Sequence, residues 1–178
     1  MIISLCGFMG SGKSLVGISL SKQLGYKLID LDKYIESKHQ LTISDIFKFG
    51  GEESFRSMET EALIEILENI DKDRDNIILS LGGGSLSREE NRILIKKESH
   101  CFYLRANGNT LVKHLSKNQD KRPLLKGKDL KATIEKLLAE RQSLYEESSH
   151  QIIDIDNKDI KVISREITEI IKNSKKLI

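Results

Sequence analysis

Gly7-Phe8-Met9-Gly10-Ser11-Gly12-Lys13-Ser14 decides how this chain is read. The eight residues match G-x-x-x-x-G-K-[ST]. Glycines in such a loop let the backbone curl until its N–H groups point inward and cradle phosphate oxygens. A helix opening near Lys13 adds its positive N-terminal end. Lys13 can reach the β and γ phosphates of a nucleoside triphosphate, and Ser14 offers a hydroxyl to Mg²⁺. With glycine at about 7% of residues, a chance match over a chain this long is on the order of 1%. The flanks agree with the motif. Met1 to Cys6 is a short apolar run suited to a buried strand. Lys13 to Leu24 carries Leu15, Val16, Ile18, Leu20 and Leu24 at helical spacing, and Gly25 supplies a C-cap.

Outward from the loop, strand-like and helix-like patterns alternate. Strands are expected over Lys27 to Ile29, Asn76 to Leu81, His100 to Leu104 and Gln151 to Ile155. Helices are expected over Leu31 to Ser37, Thr42 to Phe49, Ser87 to Ile95, Thr110 to Ser116, Leu130 to Glu147 and Lys161 to Lys172. A longer helix, Gly51 to Ile70, shows Phe55, Met58, Ala62, Leu63, Ile66, Leu67 and Ile70 at steps of three and four. Ser87 with Glu90 forms a capping box. Asn118 to Asp129, with the only proline, reads as a mobile basic loop. The alternation implies a mainly parallel sheet with helices on both faces, whose ligands bind beyond the carboxyl ends of the strands.

The chain has 178 residues, the length of one domain. Its 29 basic and 27 acidic residues leave a net charge of +2, too small an excess for a protein organised around nucleic acid. Cys6 and Cys101 are too few for a disulfide framework or a zinc site and read as small core residues of a reducing compartment. No apolar run approaches the ~20 residues of a membrane span, and the first residues do not read as a signal peptide. A cytoplasmic protein is expected.

Four further features lie where the crevice should be. Asp30-Leu31-Asp32 places two carboxylates after the second strand. They could serve a metal shell and an acceptor hydroxyl, or simply open the next helix as N-caps. Arg56 and Glu59 share one helical face, where the glutamate could orient a guanidinium for bidentate capture of a carboxylate, or form a surface ion pair. Gly82-Gly83-Gly84 could let backbone approach a small ligand, or be a flexible turn. Arg122, in Arg122-Pro123-Leu124-Leu125, could stabilise transition-state charge from a closing loop, or be solvated.

Together these segments resemble shikimate kinase. The resemblance rests on GFMGSGKS, the Asp30-x-Asp32 pair, G-E-x-x-F-R-x-x-E from Gly51 to Glu59, S-L-G-G-G from Ser80 to Gly84, R-P-L-L from Arg122 to Leu125, and L-L-A-E-R-x-x-L-Y from Leu137 to Tyr145. They run in the family's order over nearly the whole chain. The resemblance implies an α/β, three-layer P-loop kinase fold: a five-stranded parallel sheet flanked by helices, in a single domain over 1–178. It further implies a substrate-binding helical region at about 31–62 and a lid at about 118–129. The implied reaction is ATP-dependent phosphorylation of the 3-hydroxyl of shikimate, on the route to chorismate and the aromatic amino acids.

Carried over by position, the Gly10, Ser11, Gly12, Lys13, Ser14 and Leu15 segment and Arg122 hold ATP. Ser14 binds Mg²⁺ and Asp30 supports its water shell. Asp32 contacts the acceptor hydroxyl as base or orienter. Arg56, oriented by Glu59, and Arg141 grip the carboxylate, and Gly82, Gly83 and Gly84 meet substrate through backbone. Lys13, Asp32 and Arg122 form the implied catalytic set. Where the family often stacks an arginine on adenine, this chain has His114, beside Lys113. The late adenine loop falls near Asp156 to Lys158. The implied partners are shikimate and ATP, without nucleic acid or membrane, for a monomer. Rival readings are a gluconate or nucleoside monophosphate kinase of the same fold, or a nucleotide-binding protein without turnover.

Overall fold

A computed structural model describes residues 1–70, 75–116 and 124–175. Its five strands form one parallel sheet: β1 (Ile2–Cys6), β2 (Lys27–Asp30), β3 (Ile77–Ser80), β4 (His100–Arg105) and β5 (Gln151–Asp154), in the order β2-β3-β1-β4-β5. Parallel neighbours need crossover connections, and helices supply them: α1 (Lys13–Leu24), α2 (Leu31–His39), α3 (Ile43–Glu68), α4 (Glu89–Glu98), α5 (Gly108–Leu115), α6 (Leu130–Ser148) and α7 (Ile160–Lys175). Helix α1 lies on β1, β2 and β3 and packs along α7, while α4 and α6 cover β4. The three-layer α/β expectation is therefore met. Every residue of β1 and β3 is buried, as a strand covered on both faces must be.

The register aligns Leu5 with Ser80 and with Phe102, so β1, β3 and β4 end at nearly one level. Their following loops share one rim. Cys6 and Cys101 are free, buried thiols in β1 and β4, as expected of core residues.

Helix α3 joins the two helices read separately from the sequence. Thr42 caps it, its Oγ1 accepting from the Asp45 N–H at 3.1 Å. At Gly51 the backbone turns to φ 73°, ψ −177°, and the helix kinks. That region is open to glycine and nearly closed to residues with a Cβ. The kink separates 43–50, which overhangs the crevice, from the part that buries Phe55, Ala62, Leu63, Ile66 and Leu67 in the core. Each of these except Ala62 contributes about 1.5–3 kcal/mol on leaving water.

The capping box is a correction. Ser87 ends a 3₁₀ turn (Ser85–Ser87), its N–H donating to the Gly84 carbonyl at 3.0 Å, and α4 starts at Glu89 with Arg88 in the cap position. Glu90 instead accepts from Arg88 at 3.3 Å. Arg88 is drawn back to Glu53 and Ser57 of α3, and that tertiary contact overrides the local motif. Among the described residues no helix is long and apolar enough to cross a membrane.

The space around Gly51 is open, so its substitution tests backbone geometry alone. Gly51→Ala should cost about 1–3 kcal/mol in urea unfolding, with the slope unchanged. A variant as stable as the parent would show that the kink does not depend on glycine.

Candidate active site

The phosphate loop leaves the end of β1 and enters α1. Its tight turn is closed by the Ser11 N–H on the Phe8 carbonyl at 3.1 Å. Lys13 is almost fully buried, and its Nζ donates to the Gly7 and Phe8 carbonyls at 2.8 and 2.9 Å. The ammonium is thereby held across the mouth of the loop. A cleft of about 550 Å³ opens there, lined by residues 9–15, Asp30, Asp32, Gly82, Gly83 and residues of the loop after β5. The six loop positions implied for ATP, Gly10 to Leu15, thus border one cavity. Leu15 contributes from the first turn of α1, with its side chain largely exposed.

Asp30 caps α2 and also meets Ser14. Its Oδ1 caps α2 by accepting from the Lys33 N–H at 3.3 Å, and its Oδ2 accepts from the Ser14 hydroxyl at 2.6 Å. Two residues on, Asp32 lies on the same cleft wall.

A smaller cavity beside the loop is built on α3, on the segment after β3 and on α6. Arg56 is buried, its guanidinium donating to Glu59 and, at 3.0 Å, to Glu52. Burial pulls its pKa down, but the two carboxylates more than offset this, and the net shift is upward. Glu59 is fully buried and also accepts from the Ser85 hydroxyl at 2.5 Å. Asn91 in turn donates to the Ser85 carbonyl at 2.8 Å. The surface-pair alternative for Arg56 is therefore ruled out by burial.

Each glycine of the triplet makes room for a different neighbour. A Cβ on Gly82 would stand 2.7 Å from Glu59 Oε1 and 2.8 Å from Asp32 Oδ1. On Gly83 it would stand 2.8 Å from the Met9 nitrogen, and on Gly84 2.3 Å from Arg56 Nη2. The Gly83 carbonyl accepts from Arg141 Nη1 at 3.3 Å and from the Tyr145 hydroxyl at 2.5 Å. Burial raises the Tyr145 pKa well above the usual phenol value, so it stays a donor. The triplet is a packed junction, not a slack turn. Asp32, Arg56, Gly82, Gly83, Gly84 and Arg141 all line one small cavity of about 80 Å³, with Phe47, Phe55 and Leu124 as apolar wall.

Arg122 and the first half of the lid at 118–129 lie outside the described residues. In its second half Leu125 is fully buried, and Asp129 caps α6 through the Ala132 N–H at 2.7 Å. His114 lies between the main cleft and a second one lined by Asn107, Thr110, Asn157 and Lys158, and its Nδ1 is 2.8 Å from the Gly10 carbonyl. Sequence reasoning missed Ser85, Glu52, Asn91 and the Tyr145 hydroxyl as supports. Glu52 and Arg56, four apart on a helix, carry a readable signal. Ser85 and Tyr145 act across long sequence separations, to Glu59 and Gly83, and Asn91 only supports Ser85.

The shikimate kinase family model matches residues 9–172. A shikimate kinase of Dictyoglomus turgidum is 43% identical over 170 residues, 94% of this chain and 95% of that protein. One of Bacillus anthracis is 37% identical, over 94% and 96% of the two chains. Among solved structures, shikimate kinase from Acinetobacter baumannii in complex with shikimate superposes with a TM-score of 0.89 at 32% identity, over 98% of this chain and 94% of that one. Deoxyadenosine kinase from M. mycoides, at a TM-score of 0.60 and 18% identity, shares the fold. With the match spanning the phosphate loop, the carboxylate pair, the buried arginines and the glycine triplet, this chain belongs to the shikimate kinase family.

Proposed function

We propose that this single kinase domain moves the γ-phosphoryl group of ATP to the 3-hydroxyl of shikimate by positioning and charge stabilisation, with the roles divided along the cleft. The observation that carries this is the convergence of Asp32, Arg56, Arg141 and the glycine triplet on one cavity beside the phosphate loop. Arg56 and Arg141 bind the acceptor's carboxylate. Glu59 and Glu52 fix the Arg56 fork, so its orientation is set before substrate arrives. The backbone at 82–84 meets the polyol.

Asp32 accepts a hydrogen bond from the reacting hydroxyl and aims its lone pair at the γ phosphorus. As the new O–P bond forms, the bond from phosphorus to the β–γ bridging oxygen breaks. ADP leaves with that electron pair, and the hydroxyl proton passes to Asp32. The transition state is loose, so Asp32 acts more by orientation than by strong basicity. Lys13 and the backbone of the Gly10 to Leu15 segment stabilise charge on the phosphates. Arg122 adds charge from the lid, which also keeps water from competing as acceptor. The contact between the Ser14 hydroxyl and Asp30 is an oxygen donor set suited to Mg²⁺. When bound, that ion would neutralise charge on the ATP phosphates. The buried free thiols support a reducing, cytoplasmic setting, and the small net charge supports partners other than nucleic acid. We read the working unit as a monomer.

The reading is tested by ADP release from Mg-ATP with shikimate, gluconate or AMP as acceptor. Shikimate alone should stimulate it, and turnover with another acceptor instead would sink the acceptor assignments. Asp32→Asn should lower kcat by about 10²-fold or more while the KM for ATP stays within about threefold. Arg56→Ala should raise the KM for shikimate by at least about tenfold.

Gly84→Ala separates space from conformation. Gly84 has φ −115°, ψ 0°, which any residue adopts, so the added methyl acts only by displacing the Arg56 guanidinium. The KM for shikimate should rise about tenfold or more with that for ATP little changed, as expected when one charge-assisted contact is misplaced. An unchanged shikimate KM would mean that Arg56 does not hold the acceptor.

A further inference from the structure

The phosphate loop satisfies several of its own carbonyls. Lys13 serves Gly7 and Phe8, the Ser11 N–H serves Phe8, and the Val16 N–H serves Gly12 at 2.9 Å. Each of these donors belongs to the loop or to α1. The Gly10 carbonyl is served from elsewhere, by His114 Nδ1 at 2.8 Å, from α5 and 104 residues away in sequence. A carbonyl oxygen can only accept, so Nδ1 carries the proton.

The next residue of α5 adds a second constraint. Leu115 is buried beneath Gly10, where a Cβ on the glycine would stand 2.8 Å from Leu115 Cγ. Gly10 itself has φ +83° and no side chain to resist rotation of the peptide that follows. That peptide carries both the Gly10 carbonyl and the Ser11 N–H. His114 holds one end of it, and the Phe8 carbonyl holds the other. Were the plane to turn, a carbonyl oxygen would point toward the space meant for phosphate oxygens.

We propose that His114 is a positioning residue for the nucleotide: it locks the Gly10 carbonyl outward, so that the loop presents donors to the phosphates. The inference rests on the kinase reading only insofar as the loop binds ATP. The role belongs to the Nδ1 proton and not to the aromatic face, and the two can be separated. Asparagine places an N–H donor near the position of Nδ1 without a ring. Phenylalanine keeps a ring without a donor.

The experiment is ATP binding by calorimetry, without acceptor, on the full chain and on His114→Asn, His114→Phe and His114→Ala, with thermal midpoints as a folding control. Steady-state kinetics with shikimate follow. The Ala and Phe variants should bind ATP about 3–10-fold more weakly and show a matching rise in the KM for ATP, the range expected for one lost hydrogen bond. The Asn variant should stay within about twofold of the parent. In all three, kcat at saturating ATP and the KM for shikimate should be nearly unchanged. Affinity kept in Phe and lost in Asn would overturn the proposal in favour of stacking. Equal loss in all three, or loss in none, would overturn it as well. Because binding is read without acceptor, a parent chain that binds ATP but fails to use shikimate would count against the kinase reading and not against the role of His114.

Discussion

Side chains are missing at 82, 83 and 84, and the cleft depends on their absence. A carboxylate from α2, a backbone nitrogen from the phosphate loop and a guanidinium from α3 each approach this stretch more closely than a Cβ would allow. Real Cβ atoms essentially never stand within 3.0 Å of a non-bonded heavy atom. Larger residues at these positions would push the phosphate loop, α2 and α3 apart. Phosphoryl transfer gives the protein little covalent work, so the relative placement of two bound molecules is most of what the fold can contribute. Here that placement is set by backbone, the least adjustable part of the chain.

The second constraint is the buried charge of Arg56. Removing a guanidinium from water costs several kcal/mol, and a partner carboxylate recovers that only with good geometry and further hydrogen bonds. Glu59 meets both conditions. One oxygen takes Arg56, the other takes Ser85, and Ser85 is itself held by Asn91. Such a pair contributes little net stability. Its effect is directional, because Arg56 keeps one orientation and Gly84 lies against the face of its guanidinium. Arg141 reaches the same cavity from α6, tied to the triplet through the Gly83 carbonyl.

Much of this was legible in the residues. The phosphate loop, the alternation of strands and helices and the ordered motifs lead to the fold, because glycine spacing and apolar periodicity are local signals. Local signals fail where distant parts of the chain compete. Ser87 and Glu90 spell a capping box, yet Arg88 is drawn to α3 and the helix starts elsewhere. Asp30 read ambiguously as cap or metal support; one oxygen caps α2 and the other accepts from the Ser14 hydroxyl. Ser85 and Asn91 carry no readable pattern, since Ser85 meets Glu59 of α3, 26 residues away, and Asn91 only supports Ser85. The break between two helices at residue 50 was visible, but their fusion through a single mirror-image backbone angle at Gly51 was not.

The strand order explains why the loop is braced from two sides. β1 is the central strand, with β3 on one side and β4 on the other. Parallel pairing brings all three strand ends to the same rim, so whatever follows β3 and β4 must flank the loop that follows β1. After β3 comes the glycine triplet, and Gly83 lies against Met9. After β4 comes α5, and His114 and Leu115 lie against Gly10. Neighbouring residues of the loop are thus contacted from the segment after β3 and from α5. A loop rich in glycine would otherwise lose the most conformational freedom on adopting its binding shape. The sheet's topology meets part of that cost during folding, before a phosphate arrives.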